Sequence, residues 1–559
     1  MNDLTEDLSK KLIGYLKNKK YKTLQFEVEM LGDVEKQHPS IIFCYANSIY
    51  FNESSEIQDL IYASSLFENI YFNNKNNLRP LYSMIAVSFK TKVFKRLLPL
   101  VLSAYEKNKE DVILIEGLAR INRYLGNREI SIKFFKKLYK ILPDKEEGRL
   151  PFISSFNYTS NTTQEQYMEE CLKYTSLLEK KLNIHKDNFQ CNFKKSEKIK
   201  ICFLSSDLKT HSVSFFLLNM LENIDQNKFD ISLVSNLKIS EQDSMSDQFK
   251  KIVRKWYDVK NFSNNELVNL LRSFELDFLI DLNGFTTGNR FEVLLRRCAK
   301  NQILWLGYNN SLGATNVDFL ISDKNLIQSN ELHLYKEKIL FLPNIWNVLS
   351  VPRNIPEIKT KKTNEETFFC SFNNFLKISE STIEVWSHIL KKTGLKILLK
   401  NSSRGGDDLQ DNILEKFLKK DIQRNQIVFC ERTRNINHHL ELYNRASVAL
   451  DTFPYPGVTT SFEAIMMGLP VLTMKGYNFN SRCGESINKN IEMSDLIAEN
   501  NDDYIKKAIL LTQNKNLNIK YGNNLRTKAL NSPLFNTNQF TKDFENLITS
   551  LYKNETNSL

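Results

Sequence analysis

Apolar and polar positions divide the chain into a helical first part and an alternating second part. Up to about residue 145, apolar residues recur at intervals of three and four, which predicts one helix after another. From about residue 197, short apolar runs alternate with amphipathic stretches, which predicts strands followed by helices. A polar, lysine-rich break at 352–366 separates two such series. The pattern therefore predicts helices first and then two α/β domains.

The helical part shows weak internal repetition. The clearest unit is 112–145, where Ala119 and Phe135 stand at offsets that let two antiparallel helices pack closely, as in the tetratricopeptide (TPR) template. Weaker copies occur at 40–77 and 78–111. We predict three or four degenerate repeats, with an undifferentiated helical bundle as the alternative. A solenoid of repeats would offer a concave groove to an extended polypeptide.

Each α/β series consists of apolar runs of strand length. The first series predicts strands at Lys198–Ser205, Phe229–Ser235, Asp277–Leu282, Ile303–Leu306, Val317–Ile321 and Lys338–Leu342. The second series predicts strands at Thr367–Phe372, Lys396–Lys400, Gln426–Cys430, Ser447–Asp451 and Pro470–Met474. Two successive doubly wound domains create a cleft where the carboxyl ends of the two sheets face one another.

The segment 451–473 carries the clearest chemical signal. A predicted buried strand ends at Asp451, a turn with two prolines follows, and Thr459 and Thr460 stand where a helix should begin. Backbone N–H groups at a helix start, together with two hydroxyls, can bind a phosphate. Glu463 lies one turn further on, where its carboxylate could accept hydrogen bonds from sugar hydroxyls. The segment indicates a nucleotide-sugar pocket, and an ordinary capped helix is the alternative.

Composition and charge are those of an ordinary globular protein. The 559 residues, 42% apolar and 25% charged, are enough for several domains with buried cores. The net charge of +11 is distributed over short clusters that alternate with acidic residues, which favours a solvated surface over a nucleic-acid groove. Eight cysteines occur without any Cys-x-x-Cys spacing, so we expect free thiols and neither a zinc site nor a disulfide framework.

Two features of the sequence bear on the location of the protein. The first residues lack the positive flank and apolar stretch of a secretory signal. No apolar run approaches the roughly 20 residues that span a bilayer. We therefore expect a cytoplasmic protein without a membrane span.

Five separated motifs stand out in the chain, at 206–213 (SDLKTHSV), 283–290 (NGFTTGNR), 305–314 (WLGYNNSLGA), 370–379 (CSFNNFLKIS) and 451–473. In sequence and in order they resemble the O-linked N-acetylglucosamine transferase family, including its bacterial members. The resemblance runs from about 155 to 545, with helical repeats in front. It implies two Rossmann-like domains of the GT-B type and an inverting transfer of N-acetylglucosamine from UDP to protein Ser/Thr hydroxyls. It also implies no catalytic metal.

The resemblance assigns the donor site position by position. Lys377 matches the family lysine that contacts the diphosphate, where a fixed cation would balance the charge that develops on the leaving UDP. Thr459 and Thr460 match the phosphate-binding pair, and Glu463 matches the acidic position at the ribose. The remaining two matches are His439, or the adjacent His438, which fits the histidine that stacks on uracil, and Asn374, which stands near the donor.

The acceptor side is less determined. His211 matches a family histidine at the sugar and acceptor site that has been proposed as a general base, and an imidazole suits that role at neutral pH. The acceptor proton can instead leave late, through water or the donor phosphate. Phe285 and Val458 stand where relatives carry polar residues. These departures leave the sugar and the acceptor chemistry open.

The sequence thus predicts a UDP-sugar-dependent protein glycosyltransferase. The predicted divisions are TPR-like repeats at 1–146, a helical linker at 147–196, a first Rossmann-like half at 197–355, a second half that binds the nucleotide sugar at 356–545, and a tail at 546–559. The expected partners are a UDP-sugar, UDP-N-acetylglucosamine first, and an acceptor polypeptide held by the repeats. The alternatives are an asparagine, glycan or small-molecule acceptor, or a repeat adaptor with an inactive transferase domain.

Overall fold

The computed structural model contains two compact units. It describes residues 2–143, 146–159, 162–187, 189–191, 196–352, 354–359, 368–400, 407–431, 433, 435–513 and 524–556. The first unit comprises residues 1–149 with 403–416, and the second comprises 150–402 with 417–559. The predicted break at 352–366 falls partly outside the described residues.

The first unit is helical. Its helices are α1 (Asn2–Lys17), α2 (Tyr21–Glu29), α3 (Asp33–Lys36), α4 (Pro39–Phe51), α5 (Ile57–Asn73), α6 (Arg79–Thr91), α7 (Leu98–Lys107), α8 (Val112–Tyr124) and α9 (Arg128–Ile141). Each predicted repeat unit contains two helices. The helices α4 and α5 pack on each other, as do α8 and α9, whereas α6 packs mainly on α5 and α7 packs on α8. The prediction of TPR-like helical repeats is confirmed.

The second unit contains two parallel sheets. The strands of the first are β1 (Ile199–Ser205), β2 (Phe229–Ser235), β3 (Lys255–Asp258), β4 (Leu276–Asp281), β5 (Ala299–Leu304), β6 (Phe319–Asp323) and β7 (Lys338–Leu342). The strands of the second are β8 (Phe368–Ser371), β9 (Lys396–Leu399), β10 (Ile427–Phe429), β11 (Ala446–Leu450), β12 (Val471–Met474) and β13 (Ile497–Ala498). The strand orders are β3-β2-β1-β4-β5-β6-β7 and β10-β9-β8-β11-β12-β13, so both sheets are doubly wound.

The remaining helices include two that precede β1 and others that follow most of these strands. They are α10 (Glu146–Ser155), α11 (Gln164–Lys181), α12 (Ser212–Asn223), α13 (Ser244–Ile252), α14 (Asn264–Ser273), α15 (Phe291–Leu294), α16 (Glu380–Thr393), α17 (Asp407–Leu418), α18 (Ile436–Glu441), α19 (Thr459–Met466), α20 (Cys483–Lys489), α21 (Asn501–Gln513), α22 (524–530) and α23 (Thr537–Thr556). The helix α10 begins in the first unit and ends in the second, and most of α17 belongs to the first. The predicted arrangement of helical repeats followed by two Rossmann-like domains, GT-B, is confirmed.

The core of the first unit explains the small residues in the repeats. Ala63 and Ala104 are buried in the same hydrophobic cluster as Phe67 and Leu118. Small side chains at the contact allow paired helices to approach closely, and large ones fill the space beside them. The repeat pattern is therefore a packing requirement.

A segment from far along the chain completes this unit. The carboxylate of Asp408, in α17, accepts the backbone N–H of Lys95 at 2.8 Å. In the same helix, Lys416 donates to the backbone oxygen of Gly126 at 2.8 Å. Sequence periodicity carries no information about contacts between distant segments, so the packing of α17 on the repeats was not predicted.

The two lobes of the second unit, one around each sheet, contact each other through buried polar groups. Arg482, just before α20, forms a bidentate ion pair with Glu331 of the first lobe, at 2.7 Å for one of its two hydrogen bonds. Ser486 of α20 donates to Asp323 at 2.7 Å, at the end of β6. Since burying these groups requires that they be paired, the contacts fix the lobes against each other.

The strands mostly occupy the predicted runs, and the edges are the exceptions. The strands β3 and β13 were not predicted. The edge strand β3 is Lys-Trp-Tyr-Asp, which lacks the apolar run of a central strand, and β13 has two residues only. We propose lobe boundaries of 197–355, which contains β1–β7, and 356–545, which contains β8–β13. The helix α23 begins within the second range and packs on the first lobe, where Phe544 contacts Trp305 with ring centroids 5.3 Å apart.

The helices can be compared with the requirements of a membrane span. Among the described residues, none of the helices combines the length and the apolar character needed to cross a bilayer.

Candidate active site at the two switch points

The predicted site residues lie at the two places where the strand order reverses. In the first sheet the reversal falls between β1 and β4, and in the second between β8 and β11. Ligands of doubly wound sheets bind outside the carboxyl ends of the strands at such points. His211 follows β1, Lys377 follows β8, and Thr459 follows β11. The fold therefore gathers these residues at ligand-binding edges.

Asp451, immediately after β11, organises the turn that precedes α19. Its Oδ1 accepts the backbone N–H of Gly457 at 2.7 Å and the side-chain amide of Asn373 at 3.1 Å. Its Oδ2 accepts the hydroxyl of Thr473 at 2.9 Å. Burial raises the pKa of Asp451 from 3.8 to about 6, although these hydrogen bonds and the Lys377 ammonium act in the opposite direction.

Lys377 lies against the same turn. It ends a short 3₁₀ helix, Phe375–Lys377, and its Nζ donates to the backbone oxygen of Pro456 at 2.8 Å. The Nζ also lies 4.0 Å from the ring centroid of Tyr455, a cation–π distance. Burial lowers the pKa of Lys377 from 10.5 to about 8, against the attraction of Asp451. One of three ammonium donors is engaged with Pro456, so the group can still bind an anion.

The helix α19 begins at Thr459, as predicted from the sequence. The Thr460 hydroxyl donates to Oδ1 of Asn373 at 2.8 Å. A Cβ on Gly457 would lie 2.4 Å from the Thr460 hydroxyl oxygen and 2.7 Å from Oδ1 of Asn373, so the backbone approach requires glycine. The first N–H groups of a helix have no partner within it, and together with the Thr459 hydroxyl they can bind an anion, whereas the hydroxyl hydrogen of Thr460 is engaged with Asn373.

Glu463 and His439 are directly bonded. His439 Nε2 lies 3.0 Å from Oε2 of Glu463, and the Tyr443 hydroxyl donates to the same oxygen at 3.1 Å. The other ring nitrogen of His439, Nδ1, lies 2.6 Å from the ammonium nitrogen of Lys400, at the end of β9. The sequence predicted Glu463 and His439 separately, and the fold makes them one network.

The sequence predicted that Asn374 lies near the donor, whereas in the structure Asn373 is the asparagine that bonds to the turn before α19. The side chain of Asn374 accepts the backbone N–H of Leu376 at 3.0 Å and so caps the short helix that carries Lys377. Asn373 is the residue that joins Asp451 to Thr460. Its importance was not predicted, although it stands inside the quoted motif next to Asn374.

His211 lies at the start of α12 in the first lobe. Its Nδ1 accepts the backbone N–H of Val213 at 3.3 Å and lies 3.9 Å from Oδ1 of Asp207. The other carboxylate oxygen of Asp207 accepts the amide of Asn283 at 2.9 Å. The sequence analysis assigned no role to Asp207 or Asn283, although both stand in motifs that it quoted.

The starts of α12 and α19 lie near each other across the two lobes. Phe216 and Phe462, each about one turn into its helix, pack with ring centroids 5.6 Å apart and rings at 68°. This edge-to-face contact sets the spacing of the two helices. His211 precedes one of these helices and Thr459 begins the other.

Asp281, at the end of β4, is a buried carboxyl group of the first lobe. Its Oδ2 accepts the backbone N–H of Gly284 at 2.6 Å, whereas its Oδ1 is buried without a hydrogen-bond partner. Burial raises its pKa from 3.8 to about 7, with a further rise from Asp207. The neutral form is therefore favoured at this position.

Metal-ligating side chains are dispersed. Within the part of the chain that the structure describes, no group of three or more His, Cys, Asp or Glu side chains is placed to hold a metal ion. All eight cysteines are free, as predicted, and six of them are buried, which agrees with the position of several of them in apolar runs.

Comparison with known families identifies what this sequence is similar to. The profile of Glycosyl transferase family 41 matches residues 133–367 and 358–544. These two matches cover more than half of the chain and include every predicted site residue. They also agree with the resemblance drawn from the five motifs.

Curated relatives cover a similar stretch. A probable UDP-N-acetylglucosamine–peptide N-acetylglucosaminyltransferase SPINDLY of Solanum lycopersicum is 26% identical over 360 residues, which are 63% of this chain and 38% of that protein. The SPINDLY protein of Arabidopsis thaliana is 26% identical over 370 residues, 65% of this chain and 40% of that protein. The chain thus spans about two fifths of the length of the relatives it matches.

A solved structure shares the architecture. An O-GlcNAc transferase mutant of Thermobaculum terrenum superposes with a TM-score of 0.78 at 19% identity, over 91% of this chain and 96% of that one. This likeness bears on the fold, which it shares along nearly the whole chain.

Replacing Asp281 with Asn should stabilise the protein at high pH and much less at low pH. The stability that the raised pKa provides is complete below the unfolded value of 3.8 and is lost as the pH rises through about 7. Asn can turn its oxygen toward Gly284 and cannot ionise. We expect the Asp281→Asn variant to have a higher thermal unfolding midpoint than the unaltered protein at pH 8, by a few degrees, and a much smaller gain at pH 5.

The matched control is Asp421→Asn, because the Asp421 side chain is 90% exposed. That substitution should shift the midpoint little at either pH. An Asp281→Asn shift that is equal at pH 5 and pH 8 would show that ionisation of this carboxyl group is not what limits stability.

Proposed function

The chain belongs to glycosyl transferase family 41, and on that premise we propose that it transfers a sugar from a UDP-sugar to protein Ser/Thr hydroxyls. N-acetylglucosamine is the sugar we propose, since it appears in the names of the curated relatives. The observation that carries the proposal is the arrangement at the second switch point. A lysine ammonium, two threonines and a helix start are held there by one buried carboxylate.

The proposed chemistry is an inverting substitution at the anomeric carbon. The acceptor oxygen forms the new bond to that carbon, the bond to the β-phosphate oxygen breaks, and UDP leaves with the electron pair. The leaving group gains negative charge, which Lys377 and the N–H groups at the start of α19 would stabilise. Thr459 would donate its hydroxyl to the same diphosphate, and Thr460 would donate its backbone N–H, because its hydroxyl hydrogen is engaged with Asn373.

The base and ribose would lie further along the same edge. Glu463 would accept hydrogen bonds from the ribose hydroxyls through Oε1, because both hydrogen bonds described above end on Oε2. His439 would stack on the uracil. Asn374 would act indirectly, since its side chain caps the short helix that carries Lys377.

His211 would serve the reacting centre as a hydrogen-bond donor. Its Nδ1 accepts the Val213 N–H, so the neutral ring carries its proton on Nε2. In that tautomer Nε2 can donate to the sugar or to the acceptor, and it cannot take the acceptor proton. We propose that this proton leaves late, to water or to the departing phosphate.

The acceptor is proposed to be a polypeptide bound by the TPR-like repeats. Stacked helix pairs form extended surfaces that suit a chain segment without secondary structure. The relatives are named as peptide transferases, which supports the same acceptor class.

Replacing Lys377 with Ala should abolish transfer. Removing one group that stabilises developing negative charge costs on the order of 10² to 10³ in kcat. We expect a loss of at least that size when the variant is assayed with labelled UDP-N-acetylglucosamine and candidate acceptor proteins, with products read by intact mass. The control is Lys391→Ala, an exposed lysine of the same lobe, which should keep full activity.

Thermal unfolding of both variants establishes that they fold. A Lys377→Ala protein that folds and turns over at the unaltered rate would refute the proposed site. Assaying other UDP- and GDP-sugars with the unaltered protein decides whether a negative result concerns the sugar or the reaction.

The pH profile should report the ionisation of Lys377. Its ammonium form is the one that binds the diphosphate, and its pKa of about 8 means that this form is lost as the pH rises through that value. We therefore expect kcat/KM, and the affinity for UDP measured by calorimetry, to fall above about pH 8. A Lys377→Arg variant keeps its charge, so its UDP affinity should not fall over this range. A fall of the same size in that variant would assign the ionisation to another group.

A further inference from the structure

Lys400 is a nearly buried lysine for which neither the sequence nor the proposed transfer reaction required a role. It stands directly after β9, on the same lobe as the donor site, and is 7% exposed. Its Nζ donates to the Thr433 hydroxyl at 2.9 Å and lies 2.6 Å from Nδ1 of His439. Burying an ammonium group without hydrogen-bond partners costs free energy of folding, so the hydrogen bonds to Thr433 and His439 offset that cost.

The contact fixes the tautomer of His439. A lysine ammonium group has three donors and no acceptor, so Nδ1 of His439 must accept the hydrogen bond. The ring proton therefore resides on Nε2, which faces Oε2 of Glu463 at 3.0 Å. A proton on Nδ1 would point at the ammonium group. Lys400 on one side and Glu463 on the other thus admit one tautomer and one orientation of the ring.

The same contacts leave His439 only its ring face. Both nitrogens are engaged, so the imidazole has no free donor or acceptor for a ligand. Phe372 and Tyr443 pack against it, with ring centroids at 5.8 Å and 5.6 Å. The His439 side chain is nevertheless 16% exposed. What it offers to the cleft is a fixed aromatic surface, which suits stacking on a nucleobase.

We propose that Lys400 is a positioning residue for nucleotide binding. Its ammonium group holds the imidazole of His439 in one tautomer and one plane, and the base of the nucleotide stacks on that ring. Lys400 does not touch the nucleotide. The role rests on the proposed function, because it requires a nucleotide at this site, whereas the constraint on the His439 tautomer belongs to the free protein.

The test separates the base from the phosphates. Binding of UDP and of inorganic pyrophosphate is measured by calorimetry for the unaltered protein, Lys400→Met, Lys400→Arg and the exposed control Lys391→Met. Pyrophosphate lacks the base and reports only on the Lys377 region. We expect Lys400→Met to weaken UDP binding roughly tenfold, the order of magnitude of one base–aromatic stack. Its affinity for pyrophosphate should not change.

The two further variants distinguish positioning from general damage. Lys400→Arg keeps a donor beside Nδ1 and should recover part of the UDP affinity, and Lys391→Met should bind both ligands as the unaltered protein does. An equal loss for UDP and pyrophosphate in Lys400→Met would overturn the proposal, as would unaltered UDP binding.

A second measurement on the free protein needs no ligand. Proton–nitrogen NMR spectra of protein with ¹⁵N-labelled histidine, with the His439 signal assigned by its loss in His439→Gln, report which ring nitrogen carries the proton. We expect the Nε2–H tautomer alone in the unaltered protein and a mixture in Lys400→Met. If the unaltered protein binds no UDP, the proposed function fails while this spectrum still decides the role of Lys400. The same tautomer in both proteins would overturn that role.

Discussion

The proposed donor site depends on the hydrogen bonds that the carboxylate of Asp451 accepts. This carboxylate receives the backbone N–H of Gly457, the amide of Asn373 and the hydroxyl of Thr473. A buried carboxylate is tolerated only when such donors surround it, and the donors in turn determine the path of the turn. That turn presents the Pro456 carbonyl to Lys377, and it delivers the chain to the start of α19.

The chemistry follows from that geometry. One lysine and one helix start are brought together where the order of the second sheet reverses, which is where a doubly wound sheet binds its ligand. On the opposite lobe, His211 precedes the helix whose Phe216 packs on Phe462 of α19. The packing of two aromatic rings therefore sets the separation of the groups that would act on the donor and on the acceptor.

Much of the fold could be predicted from the sequence, because central parallel strands are continuous apolar runs and helix pairs repeat at a fixed spacing. The predictions missed β3 and β13, edge strands that lack such a run. Individual site residues could be named from motifs, but their connections could not. Lys400 and His439 are separated by 39 positions. They meet because Lys400 follows β9 and His439 lies in the helix after β10, and these two strands are neighbours in the sheet. The packing of α17 on the repeats has the same origin, since long-range pairing leaves no periodic signal.

The most direct measurement is a crystal structure of the protein with UDP. We expect the diphosphate oxygens to lie within hydrogen-bond distance, about 3 Å, of Nζ of Lys377, of the backbone N–H groups of Thr459 and Thr460, and of the Thr459 hydroxyl. We also expect the uracil to lie on the face of His439. A diphosphate bound elsewhere, with the Lys377 ammonium group remote from it, would refute the proposed site.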